Sequence, residues 1–305
     1  MKSIKAFLIA ILCAASHFAP AQKILKEQRN WSIYHTMGGS QTINSVQLST
    51  GVQIEYAEQG DEQGTPVIFL HGYSDSWHSF EDILPYLPET IHAFALTQRG
   101  HGNSSKPEGN YHPKDLAADV AAFIKEMGLS KAVIVGHSLG GVVAQQFALD
   151  YPEQTIAIVL IGTDAAFRDN PGLAEFRQEV MKLADPIDYA FAERFQKSTI
   201  VRPIDSSRLR LFIDESLKMP ARIWKEVNDG FMSVDYTKAL HKINQPVLIF
   251  WGDKDQICPE SSQHAMVKEI KNSKLIIYPG TGHALHWEQP LLFVEDFVPF
   301  VQSIR

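Results

Sequence analysis

Residues 132–141, AVIVGHSLGG, run from an unbroken apolar stretch into a serine set between glycines. Four apolar residues in a row, Ala132 to Val135, predict a short strand buried on both faces. Gly136-His137-Ser138-Leu139-Gly140 matches G-x-S-x-G and precedes a helical run, the strand–turn–helix setting in which that motif carries chemistry. A turn this tight holds Ser138 in a strained backbone and projects its hydroxyl. The flanking glycines keep side chains away. The helix N-terminus beyond adds partial positive charge where an oxyanion would develop.

Similar apolar runs lie to either side. Val67 to Leu70, Ala93 to Leu96, Ile156 to Ile161, Val247 to Trp251 and Leu275 to Tyr278 predict further strands buried on both faces of a parallel sheet. Val52, Ile54 and Tyr56 alternate with polar or small residues, which predicts a half-buried strand, with another short one near Val46 to Leu48. Leu116, Val120, Ile124 and Met127 share a helical face after Pro113, and Gly128 suits the end of that helix. Leu291, Val294, Phe297 and Val301 form another such face after Pro290. Alternating strand and helix give an α/β fold with a mostly parallel central sheet. Residues 164–243 interrupt the alternation with helical stretches and no strand run. They are expected to form a helical cap over the sheet's carboxyl edge, where such folds bind ligands.

Two other sheet-edge loops carry polar groups. His71-Gly72-Tyr73 follows the Val67 strand, so the N–H of Tyr73 and that of Leu139 could form an oxyanion hole. A serine needs a base, and the base a carboxylate to orient it. Gly252-Asp253-Lys254-Asp255 and Gly280-Thr281-Gly282-His283 each follow an apolar run. Ser138, Asp255 and His283 stand in the chain order that G-x-S-x-G hydrolases use.

With these pieces in order, HGYSDS at 71, QRGHGNSS at 98, GHSLGG at 136, WGDKDQICP at 251 and GTGHALHWEQP at 280, the chain resembles the α/β-hydrolase superfamily, in its branch with a core and helical cap. The resemblance covers residues 43–303 apart from the cap. It implies catalytic Ser138, Asp255 and His283. In that pattern the second aspartate of the G-D-x-D loop is the acid, leaving Asp253 and Asp164 as rivals. His286 is expected to stabilise packing, and Arg99 to bond loop carbonyls. Thr97 stands where relatives often carry aspartate. The implied activity is that of a serine hydrolase acting on a small ester or lactone. The same triad also serves cofactor-free haloperoxidase-like and carbon–carbon bond hydrolases, and a non-catalytic ligand-binding member is a third reading. Trp224, Phe231 and Met232 are expected in the wall of an apolar pocket.

Met1 to Lys5 is short and basic, Ala6 to Ala15 is apolar, and Ala19-Pro20-Ala21 offers a cleavage site. That pattern predicts a signal peptide over residues 1–21, an exposed lead-in over 22–42, and a secreted or periplasmic protein without membrane association after cleavage. The core is then 43–163 with 244–305. The 305 residues carry 28 Lys+Arg against 35 Asp+Glu. That acidic balance argues against a nucleic-acid partner, and the hydrolase resemblance implies a small-molecule acyl substrate. Hydrophobic residues at 45% exclude a disordered chain. Two cysteines make neither a disulfide framework nor a cysteine-based zinc site. No dinucleotide loop, phosphate loop or zinc-protease motif is present, so no cofactor or metal is expected.

Overall fold

The computed structural model describes residues 41–168 and 170–304. The expected signal segment, and the lead-in up to residue 40, lie outside the described residues.

Eight strands form one sheet: β1 (Thr42–Gln47), β2 (Gln53–Gln59), β3 (Thr65–Leu70), β4 (Ile91–Leu96), β5 (Ala132–His137), β6 (Thr155–Ile161), β7 (Val247–Gly252) and β8 (Ser273–Tyr278). Their spatial order is β1-β2-β4-β3-β5-β6-β7-β8. β1 pairs antiparallel with β2, and β2 antiparallel with β4. Every later pairing is parallel.

The helices are α1 (Pro113–Glu126), α2 (Leu139–Asp150), α3 (Pro171–Val180), α4 (Tyr189–Ser198), α5 (Ser206–Leu217), α6 (Ala221–Met232), α7 (Glu260–Glu269), α8 (Leu285–Glu288) and α9 (Pro290–Ser303). Local chemistry sets their ends. α1 opens on a capping box in which His112 and Asp115 satisfy each other's backbone N–H groups, with Pro113 in the first turn. Gly128 follows it at φ 68°.

The central strands feed two apolar layers by simple alternation. Ile68, Leu70, Ile134, Ile158, Leu160 and Ile249 face one core, with α1, α2 and α7. Val67, Phe69, Val133, Val135, Val159, Ile161 and Phe250 face the other, with α9. A strand covered on both faces needs no polar alternation, so these segments read as unbroken apolar runs.

β8 departs from that expectation. It is the sheet's edge strand, Ile277 is 40% exposed, and only Tyr278 is fully buried. The C-terminal helix also sits slightly rotated. Its buried face is Phe293, Val294, Phe297, Val298 and Val301, with Leu291 half-buried.

Among the described residues between β6 and β7 there are four α-helices, α3 to α6, and no strand. They do not enclose a core of their own. Phe191, Trp224 and Val227 belong to the same buried cluster as Leu70 and Leu139. The helical layer is thus fused to the sheet by continuous apolar packing. Among the described residues, no helix is long and apolar enough to cross a membrane.

Candidate active site

The turn between β5 and α2 lies at the sheet's carboxyl edge. Ser138 has φ 51° and ψ −114°, a conformation that a residue with a side chain holds only when its surroundings impose it. They do so with hydrogen bonds. Its N–H donates to Ile161 O at 2.9 Å, and its carbonyl accepts from Gly141 N–H at 2.9 Å and from the Thr163 hydroxyl at 2.8 Å. The glycines are sterically required. A Cβ on Gly136 would lie 2.1 Å from Gly140 O, and one on Gly140 would lie 2.1 Å from Leu70 O.

The β3 loop is clasped to the loop after β4. His71 is fully buried, and its Nδ1 lies 2.7 Å from Gly72 O while its Nε2 accepts from Gln98 N–H at 2.9 Å. The proton is thereby fixed on Nδ1. Gln98 Nε2 returns a bond to His71 O at 2.8 Å. This clasp sets the backbone of Tyr73 beside the elbow. Among the described residues, neither Tyr73 N–H nor Leu139 N–H donates to a backbone carbonyl outside its own element.

His283 and Asp255 meet behind the serine. His283 Nδ1 lies 2.9 Å from Asp255 Oδ2, with both side chains buried. Asp255 Oδ1 accepts from Ile257 N–H at 2.7 Å and Cys258 N–H at 2.9 Å. Those two donors hold the carboxylate in place, and its other oxygen fixes the imidazole proton on Nδ1. Nε2 is left as the basic nitrogen. Ser138 and His283 line one cavity, though their side chains share no hydrogen bond among the described residues. Catalytic contacts of this kind tighten when substrate arrives.

The rival carboxylates have other partners. Asp253 accepts from Gly280 N–H at 2.6 Å and orders the loop ahead of His283. Asp164 accepts from Ala165 N–H at 2.7 Å, and burial pushes its carboxyl up. His286 Nε2 lies 3.2 Å from the Ser79 hydroxyl and its ring stacks on Phe80, while burial pushes its pKa down to about 3. Asp255, Cys258 and His283 are the one trio of possible metal ligands among the described residues, but they suit a metal poorly. Asp255 is committed to His283, and burial pushes the Cys258 thiol well up, away from the thiolate a metal needs.

The cavity measures about 40 Å³. Its walls include Tyr73, Leu139, Phe167, Leu173, Phe176, Phe195, Phe231 and Ile257, with Asp75, Gln196 and Thr199 as polar members. Of the three expected wall residues, only Phe231 is present. Trp224 is fully buried behind the wall. It meets the Tyr73 ring edge-on at 4.8 Å, and its carbonyl accepts the Tyr73 hydroxyl. Met232 sits about 100° around α6 from Phe231, packed outside the cavity. Arg99 also differs from expectation. It bonds one loop carbonyl, Asn110 O, but its main partner is Asp119, held at 2.6 Å through both Nε and Nη2.

Asp75 lies inside the HGYSDS stretch, two residues after the expected oxyanion residue Tyr73, so its place in the chain is a usable signal. Gln196 belongs to α4 and Thr199 caps its C-terminal end, in a stretch that contains no motif.

A family model described as alpha/beta hydrolase fold matches residues 65–290. The chain is 30% identical over 283 residues to a bifunctional esterase/perhydrolase of Acinetobacter calcoaceticus, covering 85% of this chain and 99% of that protein. It is also 30% identical over 275 residues to a non-heme haloperoxidase of Rhodococcus erythropolis, with 85% and 99% covered. Among solved structures, an esterase from Exiguobacterium antarcticum superposes with a TM-score of 0.77 at 22% identity, over 86% of this chain and 100% of that one. At that identity the likeness is one of fold.

Proposed function

Because this chain belongs to the α/β-hydrolase family, we propose that it cleaves a small ester or lactone through an acyl-enzyme on Ser138. The observation that carries this reading is the 2.9 Å bond between His283 and Asp255 at the cavity that Ser138 also lines. Ser138 Oγ attacks the carbonyl carbon while His283 Nε2 takes its proton. The carbonyl oxygen becomes an oxyanion facing the N–H groups of Tyr73 and Leu139. Collapse expels the alcohol, which leaves with the proton from His283. Water then attacks the acyl-enzyme by the same route and frees the acid and Ser138.

The narrow, mostly apolar cavity supports a short acyl group. Esterase, perhydrolase and haloperoxidase relatives support the family's chemistry without choosing the substrate. A panel of p-nitrophenyl esters of increasing acyl length, run beside lactones and amides, tests the reading. Short esters should turn over fastest, and Ser138→Ala should lose at least about ten-thousandfold in kcat. Full activity in Ser138→Ala overturns it.

The basic and apolar N-terminal segments support export. Sequencing the N-terminus of exported protein should then read from Gln22. A start at Met1 overturns export by this route.

A further inference from the structure

We propose that Asp75 and Gln196 form a hydrogen-bonding subsite in the catalytic cavity, and that it selects esters carrying a hydroxyl group. The proposal rests on the acyl-transfer reading above and names its substrate class more closely.

Gln196 is fully buried and lines the cavity. Its Nε2 donates to Asp75 Oδ1 at 3.0 Å and to the Ser216 hydroxyl at 2.8 Å. The Ser216 hydroxyl donates its own proton to Phe212 O at 3.0 Å and so accepts from Gln196, which fixes the orientation of the amide. Its Oε1 is then left in a buried position with no partner. Buried acceptors in native proteins are mostly paired with protein or ordered water, so an unpaired one on a residue that lines a cavity is open to a ligand or to a water that a ligand displaces. Asp75 is 2% exposed and lines the same cavity. Among the described residues, no cation acts on it. The charged group that acts on it is Glu215, of like sign, and burial pushes its carboxyl up to about 7. The rest of the wall is largely aromatic. The Asp75 carboxyl already takes the Gln196 amide and the Gly72 N–H, so the acceptor left over on this wall is Gln196 Oε1, and it calls for a donor on the ligand. A neutral hydroxyl fits better than an ammonium, because these surroundings already disfavour charge. A hydroxyl can donate to Gln196 Oε1 and accept from Asp75 when that carboxyl holds its proton.

The test compares esters that differ by a hydroxyl in place of a methyl. On the acyl side, the pair is p-nitrophenyl β-hydroxybutyrate and isovalerate. On the alcohol side, it is hydroxyethyl butyrate and propyl butyrate. In at least one pair the hydroxylated ester should have a kcat/KM at least about tenfold higher. Gln196→Met, close in shape, and Asp75→Leu, which removes both carboxyl oxygens, should each bring that ratio towards one. A general loss of packing would lower both members of a pair together and leave the ratio intact. Equal efficiency within both pairs, or a ratio that survives both substitutions, overturns the subsite and leaves the role of Ser138 standing. A p-nitrophenyl β-aminobutyrate hydrolysed faster than the β-hydroxybutyrate overturns the choice of a neutral donor. Failure to hydrolyse any of these esters overturns the acyl-transfer reading itself.

Discussion

His283 Nδ1 and Asp255 Oδ2 stand 2.9 Å apart, and the other oxygen of that carboxylate is pinned by two backbone N–H groups. The carboxylate can only accept, so the imidazole proton stays on Nδ1. In Asp255→Asn the amide can present an N–H to Nδ1 and so favour the wrong tautomer. The loss in kcat for p-nitrophenyl acetate should be roughly 10³–10⁴-fold. Asp253→Asn only weakens a loop bond to Gly280 N–H and should lose less than about tenfold. Equal losses in the two variants would move the acid's role away from Asp255.

The elbow makes a steric prediction. A Cβ on Gly140 meets the Leu70 carbonyl at 2.1 Å, and backbone in the middle of a sheet has nowhere to go. Gly140→Ala should cost several kcal/mol, about 3 or more, or prevent folding. Gly109, unlike Gly140, has a positive φ, 76°, and no atom lies within 4 Å of its Cβ position. Gly109→Ala should cost only about 1 kcal/mol, from backbone strain alone. Urea denaturation of both variants separates crowding from strain, and similar costs would contradict the packing described for the elbow.

Stability should carry the signature of Asp75. Its carboxyl is pushed up to about 7 by burial, with Glu215 adding to the shift and Gln196 and the Gly72 N–H opposing it. In the unfolded chain it titrates near ~3.9. Between those values the folded protein keeps a proton that the unfolded chain has lost. Stability therefore falls as pH rises through that window, by up to about 1.4 kcal/mol per pH unit. His101 and His286, pushed down to about 4 and about 3 by burial, slope the opposite way below the ordinary histidine range. They are common to both proteins and cancel in a comparison. The stability of Asp75→Asn relative to the parent should rise steadily from about pH 4.5 to about pH 7. A difference that stays constant would contradict the shift.

Arg99 and Asp119 form a buried pair, 5% and 7% exposed at their side chains, and Thr50 adds a third short bond to the carboxylate. Arg99→Ala leaves Asp119 charged and enclosed, so it should cost about 3–5 kcal/mol. Lysine cannot reproduce the two-pronged contact, so Arg99→Lys should restore only part of that. Thermal unfolding of both variants checks this. Full stability in Arg99→Lys would mean that the fork geometry is irrelevant.

What could be read from the sequence follows from where the physics is local. Gly136 and Gly140 are dictated by contacts within a few residues of Ser138, so the elbow was legible. The strands from Val67 to Trp251 are covered on both faces, and their apolar runs stated as much. Leu275 to Tyr278 gave the same pattern, yet β8 lies at the edge. Position in the sheet depends on strand order, which the run itself does not encode. Trp224, Phe231 and Met232 looked alike because the face that α6 turns to the cavity is decided by its packing on Tyr73. Arg99 showed no partner because Asp119 lies on the next helix, one residue among several acids. Gln196 was missed because only the fold brings α4 to Asp75.

The central claim is that Ser138 is the nucleophile and that His283 and Asp255 make it one. The most direct measurement is intact-mass analysis after reaction with a fluorophosphonate, followed by peptide mapping. The account predicts a single adduct on Ser138 in the folded protein, formed much more slowly in His283→Ala and absent in Ser138→Ala. An unlabelled folded protein, or an adduct on another residue with Ser138 unmodified, would contradict it.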